Sequence, residues 1–512
     1  MKNMLRYIKL CTAIAVLFGA TACLEKYPAQ SIPEKEGMQN YNDAEQHLVG
    51  IYSSLKNSAL YSGYLTLLPD IQSDLVYAVE GNSNTYGNHW LWTVRSTNAE
   101  ILSVYGSLYG TIGDCNFFLD RIGDVMAKET SDERLDVLNA YTGEVYAIRA
   151  LCYSELLKCF CKAYDPETAE QEPGVVLRTK YFEKEPARRA SLYDSYQFVL
   201  EDLARAEELL SDEDENNESN AVFFTLAAAE ALHARVALYM QDWETAIEYS
   251  SKLIDGRSHL FELANARTAI TSSGLTAFDY MWFYDESPEV IFRIYLLTTD
   301  SSGLLGSVFL NYNRDYTYFY PDFVPAQWVL DAYDNSDLRY AAYFADKNNG
   351  IVIGYGNGME WPLLVKYYGN RTFIQNYRFH VCMPKVFRLA EQYLIRAEAY
   401  CNLATPNYSA ASKDLTTLRQ SRYSSGGTLN LTQDNWLEQI SNERVRELYM
   451  EGFRLHDLKR WGMGFERRKQ SFAQEEGSTL KIEGDDARMV WPIPQHELEA
   501  PGSEIEPNES NN

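Results

Sequence analysis

The segment Leu226-Ala-Ala-Ala-Glu-Ala-Leu-His-Ala-Arg-Val-Ala-Leu-Tyr-Met-Gln-Asp-Trp-Glu-Thr-Ala-Ile-Glu-Tyr-Ser-Ser-Lys-Leu-Ile254 constrains the fold more than any other. Apolar residues recur every three or four positions on both sides of Gln241-Asp242, which predicts a helix, a turn and a second helix. Alanine at so many of those positions lets two helices approach closely. Asp242-Trp243 followed by Ala246-Ile247 is the pattern of the second helix of a tetratricopeptide repeat.

Two looser copies accompany it. One pairs Ala390–Tyr400 with Ala410–Arg422. The other pairs a long periodic stretch, Glu133–Tyr164, with Leu192–Leu210. Such units stack because a single hairpin cannot bury its own apolar face. The fold class expected is therefore mainly α: a scaffold of tetratricopeptide-like helical hairpins over about 40–259 and 386–470. Between about 260 and 385 the helical period fades, aromatic and turn residues crowd in, and Glu289–Tyr295 reads as a short strand. That stretch is expected to be a large loop-rich insertion with minor β structure. An extended segment over about 471–512 includes Trp491-Pro-Ile-Pro494.

The N-terminus bears on location. Lys2, Arg6 and Lys9 precede the apolar run Leu10–Phe18, small residues and Cys23, the layout of a bacterial lipoprotein signal peptide over 1–22. Cys23 is then the lipidated residue, and the polar, Pro-containing stretch 23–39 is a tether. An ordinary secretory signal with a chance cysteine is the alternative. The run is short for a membrane span, and no later segment is long and apolar enough for one, so membrane attachment is expected through lipid alone.

Six cysteines remain, and only Cys159 and Cys161 lie close together, with no histidine nearby. They read as buried small apolar residues rather than metal ligands. The acidic run Ser211–Asn220 lacks the glycine and glutamate positions of an EF-hand loop. No metal or cofactor is expected. A net charge of −26 argues against nucleic acid, whose phosphates such a chain repels. The sequence has no Gly-x-Ser-x-Gly elbow, no His-Glu-x-x-His and no P-loop. The chain therefore reads as a binding protein rather than an enzyme. A protein-interaction scaffold without its own ligand site, and a surface glycosidase built on paired carboxylates, are the alternatives.

Three stretches carry a family resemblance: Arg388–Tyr400, Asn442–Gly462 (Asn-Glu-Arg-Val-Arg-Glu-Leu-Tyr-Met-Glu-Gly-Phe-Arg-Leu-His-Asp-Leu-Lys-Arg-Trp-Gly) and Trp491–Leu498. With Ser73-Asp74 and the Tyr105, Tyr109, Ile112, Asn116 spacing, they make the chain resemble the SusD/RagB family of outer-membrane nutrient-binding lipoproteins. The resemblance implies helical pairs cradling a variable loop-rich half. It also implies a SusC-type TonB-dependent transporter as partner and an outward-facing position on the outer membrane. The implied ligand is an oligosaccharide, or an oligopeptide as in the RagB branch, which Ile71–Leu75, Glu80–Ser83 and Val324–Tyr333 resemble. Alternating charges in Asn442–Gly462, at spacings of three and four, read as internal ion pairs of the scaffold.

Ligand contacts are sought in loop-like sequence rich in aromatic and amide groups. Sugars offer C–H faces for rings to stack on and hydroxyls for polar side chains to fix. One cluster holds Asp74, Tyr77, Tyr86, Trp90, Trp92 and Asn98; the other holds Asn311, Tyr312, Arg314, Tyr316, Tyr318 and Tyr320. Glycan-binding relatives, by the resemblance, use an Asp, then a Trp and an Asn about twenty residues on, then insertion aromatics. The candidates that correspond are Asp74, Trp90, Trp92, Asn98, Tyr312, Tyr316, Tyr318 and Tyr320. Each ring has core packing as its second reading, and Asp74 has a capping role.

Overall fold

A computed structural model of the chain describes residues 37–182, 185–211, 221–300, 303–311, 319–345, 362–471 and 473–511. Cys23 and Tyr312, Tyr316 and Tyr318 lie outside the described residues, as does most of the acidic run 211–220.

The chain is mainly helical. The scaffold comprises α1 (Tyr41–Ser54), α2 (Tyr64–Gln72), α3 (Ala99–Met126), α4 (Asp132–Phe160), α5 (Leu192–Leu209), α6 (Leu226–Tyr239) and α7 (Trp243–Ser251). A short α8 (Gln327–Asp331) lies in the insertion, and α9 (Leu389–Asn402), α10 (Tyr408–Arg422), α11 (Trp436–Glu447) and α12 (Arg454–Arg460) complete the set used below. Small polar residues start these helices. Ser131, Ser191, Thr225 and Asp242 each accept a first-turn N–H of α4, α5, α6 and α7, groups a helix cannot satisfy internally.

The expected hairpins form: α4 packs on α5, α6 on α7 and α9 on α10. Gln241 takes a left-handed conformation (φ +61°) that turns the chain between α6 and α7. The alanines do what their spacing predicted. Ala234, Ala237, Ala246 and Ala399 are buried together where α6, α7 and α9 meet. Helix α4 is buried along nearly its whole C-terminal half, so it is the scaffold's central helix, and α3 and α5 flank it.

Strand content is minor and, among the described residues, the named strands lie in two-stranded antiparallel pairs. β1 (Val76–Ala78) pairs with β3 (Phe323–Pro325), Tyr77 facing Val324. β2 (Val290–Arg293) pairs with β6 (Lys385–Arg388), so the predicted strand near residue 290 joins the insertion to the start of α9. β4 (Phe344–Ala345) pairs with β5 (Leu363–Leu364), and β7 (Phe465–Glu466) with β8 (Lys481–Ile482). The loop-rich half has its own aromatic core, including Trp90, Phe278, Trp282, Phe323, Tyr343 and Tyr449.

An ionic lattice lies between the two cores. Arg339, Arg388 and Arg422 are completely buried around Glu289, Glu443 and Glu447. Burial by itself would raise the Glu447 carboxyl, but Arg422, Arg388 and Arg339 hold it well below the usual range. The charges of Asn442–Gly462 are thus used internally. In the same stretch Arg444 pairs with Asp457 at 2.7 Å, and Arg460 pairs with both Asp457 and Glu398.

Candidate functional site

The site is built where α2, β1, α8 and the start of α12 converge. At the end of α2, Ser73 donates its N–H and its hydroxyl to the Asp70 carbonyl at 3.2 and 2.7 Å, closing the turn that brings Asp74 to the surface of a cleft. The Asp70 carboxylate accepts the N–H groups of Gly452 (3.0 Å) and Arg454 (2.8 Å), tying α2 to the N-terminus of α12. Burial outweighs those two bonds and pushes the Asp70 carboxyl up to about 7. Gly452 is required here: its φ is +84°, and a Cβ would sit 2.3 Å from the Leu65 carbonyl oxygen.

Asp74 does not stand alone. The Arg454 guanidinium grips it through Nε and Nη2, both at 2.9 Å, a fork-on-fork pair that fixes both side chains. The backbone carbonyl of Asp74 accepts the indole N–H of Trp328 at 2.8 Å. Trp328 is half-buried on α8, and the Arg454 guanidinium lies 5.6 Å from its ring centre. The result is a rigid aromatic plate beside an ion pair.

The cleft has a volume of about 680 Å³, and Tyr77, Gln327, Arg468 and Gln470 also line it. Tyr77 is almost fully buried; its hydroxyl accepts the N–H of Arg468, and burial raises its pKa. Gln470 accepts the Gln327 N–H through Oε1 at 3.1 Å. The lining therefore combines one partly exposed ring with amides and charged groups, a composition suited to holding a polar ligand with apolar faces.

Of the candidates named from sequence, Asp74 reaches this cleft and the others described do not. Trp90 is a correction: it is completely buried, packed between Tyr77 and Phe323, with the Arg467 guanidinium 3.5 Å from its ring centre. Trp92 is another, since only 2% of it is exposed. Its indole N–H donates to the Gln72 carbonyl at 2.5 Å, and its ring packs on Phe465. Its φ of +58° is rare for a bulky residue, and core contacts on both sides hold it there. Asn98 is the N-cap of α3, accepting the Ile101 N–H at 3.0 Å, and it too is buried.

Tyr320 ties two loops together. Its hydroxyl donates to the Glu80 carbonyl at 2.9 Å and its N–H to the Asn311 carbonyl at 2.7 Å. Nearby, Asp322 accepts the N–H (2.6 Å) and hydroxyl (3.0 Å) of Ser83. The polar loop after β1 is therefore pinned to the insertion as a structural seam. Trp328, Arg454, Arg468 and Gln470 were not among the candidates. Two of them fell inside stretches singled out for other reasons: Trp328 within Val324–Tyr333, and Arg454 within the charge pattern of Asn442–Gly462.

Two family models match the chain. The model of the SusD family matches residues 307–505, and one described as starch-binding associating with outer membrane matches residues 24–238. SusD-like protein P25 of Formosa agariphila is 25% identical over 499 residues, covering 88% of this chain and 89% of that protein. A SusD superfamily protein from Bacteroides thetaiotaomicron shares the fold with a TM-score of 0.77 at 22% identity, over 92% of this chain and 99% of its own. A putative sugar binding protein from Bacteroides vulgatus does so with a TM-score of 0.74 at 23% identity, over 93% and 100%. The α4–α5 and α9–α10 pairs, the ionic stretch around Glu443–Asp457 and the Trp491 segment lie inside the residues the two models match, and the chain belongs to the SusD/RagB family.

Proposed function

We propose that this protein captures oligosaccharides at the outer face of the outer membrane and passes them to a SusC-type TonB-dependent transporter. In this reading Cys23 carries the lipid anchor; among the described residues, no helix is long and apolar enough to cross a membrane. The observation that carries the proposal is Trp328: a half-buried ring, fixed by its N–H to Asp74, beside the Asp74–Arg454 pair in a cleft large enough for a few sugar units. A ring held this way stacks on a sugar face without losing rotamer freedom on binding, which is how preorganised aromatic contacts gain affinity.

The cleft binds and performs no chemistry. Asp74, the carboxylate beside Trp328, has both oxygens committed to Arg454, so it is not free to act as nucleophile or general acid. The starch-binding description of the model matched over 24–238, and the sugar-binding description of the Bacteroides vulgatus neighbour, support a glycan over an oligopeptide. A calorimetric screen of soluble glycans and mixed oligopeptides tests the proposal. Binding of at least one glycan class, with the bound sugar turned over no faster than in buffer, is the expected result. Binding of oligopeptides alone refutes it. Co-purification of the protein with an outer-membrane transporter tests the delivery step.

A further inference from the structure

The charges of the cleft differ from those of the chain that carries it. The protein bears a net charge of −26, yet Arg454, Arg467, Arg468 and Lys469 all line this one concavity. Part of the opposing charge there is already spent. Arg454 neutralises Asp74. Lys469 pairs with Glu475. Glu466 lies across the β7–β8 pair from Lys481, but the Lys481 ammonium pairs with Glu483. The carboxylate of Asp331 accepts the Gln327 amide at 2.7 Å, and it and Glu466 are the remaining acids of the lining.

Two of the four cations have no carboxylate partner among the described residues. The buried Arg467 guanidinium donates to the carbonyls of Gln72, Ser73, Trp90 and Gly477, so its charge meets dipoles rather than a carboxylate. Burial pulls it down to about 9, which still leaves it charged at pH 7. Arg468 is exposed at the cleft, its backbone held by the Tyr77 hydroxyl, and among the described residues no carboxylate lies within ion-pair distance of its side chain. The lining's four cations outnumber its three carboxylates, the reverse of the chain's own balance, and a guanidinium with a free fork is the side chain best matched to a carboxylate.

We infer that the cleft selects acidic glycans, with Arg468 pairing a sugar carboxylate while Trp328 stacks on the ring that carries it. The inference rests on the glycan reading above and specifies its ligand class.

The test compares uronate-bearing oligosaccharides (oligogalacturonate, oligoglucuronate, alginate and hyaluronan fragments) with their carboxyl methyl esters and with neutral oligosaccharides. It uses calorimetry on the full-length protein in detergent. At least one uronate-bearing probe should bind about tenfold or more tighter than its methyl ester. Its affinity should fall with added salt. Arg468→Gln should remove that preference at an unchanged melting temperature, and Arg468→Lys should restore part of it. Preference for neutral probes, or an affinity that ignores Arg468→Gln, overturns the inference and leaves the glycan reading standing. Binding of acidic peptides with no oligosaccharide bound, or no binding to any probe, overturns both.

Discussion

Glu447→Gln isolates the charge of one atom group at the centre of the scaffold. The Glu447 side chain is fully buried and accepts four charged N–H bonds. They come from Arg339 Nη1 (2.9 Å), Arg388 Nη1 (2.9 Å), Arg422 Nε (3.0 Å) and Arg422 Nη2 (2.9 Å). Glutamine keeps the shape and one acceptor but removes the charge. Hydrogen bonds to charged groups contribute about 1.5–3 kcal/mol each, which sets an upper limit well above what will be seen. The three arginines retain Asp337, Glu443, Glu289 and Glu451, so much of their compensation survives. Breaking a buried pair from one side costs about 3–5 kcal/mol, and that is the loss expected here. The control is Glu483→Gln, whose pair with Lys481 is exposed on both sides and should matter by under about 1 kcal/mol. Denaturant unfolding read by tryptophan fluorescence measures both, and glycan affinity is measured on the same samples. Equal shifts for the two variants, or lost affinity at full stability for Glu447→Gln, refute the assignment of this stretch to the scaffold.

Three further outcomes follow from the same contacts. Trp90→Ala should cost about 3–5 kcal/mol of folding, as for other buried aromatics, and leave ligand affinity intact in whatever fraction folds; a stable variant that cannot bind contradicts its core placement. Asp70 has a folded carboxyl at about 7 against 3.8 for the free group, so its contribution is full below about pH 4 and is lost as pH rises through 7. The stability difference between wild type and Asp70→Asn should therefore shrink steadily over that range, and parallel pH profiles rule this out. Cys23→Ala should move the protein out of the outer-membrane fraction in cells lacking the transporter, and full membrane recovery there contradicts a lipid anchor.

The scaffold was legible because it is local. Alanine spacing, the Asp242 cap and a 3.6-residue period are short-range properties, and α6–α7, α9–α10 and α4–α5 follow from them. Burial of the first aromatic cluster was not legible, because its cover arrives from far along the chain. Trp90 is capped by Arg467, 377 residues later in sequence, and the loop around it has the Gly/Asn composition of an exposed turn. Trp92 and Asn98 likewise satisfy backbone groups at the ends of α2 and α3, roles that only the assembled elements define. Asp74 was found through its place after Ser73. Trp328 was passed over because Val324–Tyr333 reads only as a stretch resembling the RagB branch, and nothing local to it marks the Asp74 carbonyl that its indole N–H finds 254 residues away. Arg468 sits in Glu466-Arg-Arg-Lys-Gln470, which has the composition of any solvated charge run.

The central claim is that the Asp74–Trp328 cleft holds the glycan, and Trp328→Ala tests it most directly. Trp328 is half-buried, so its removal should leave the melting temperature close to that of wild type while removing the stacking plate. An aromatic hot spot contributes about 2 kcal/mol or more, which is roughly a thirtyfold rise in Kd by calorimetry against the best-binding glycan. That rise, with the fold intact, is the predicted result. Unchanged affinity in a well-folded Trp328→Ala protein contradicts the account and moves the binding site elsewhere on the molecule.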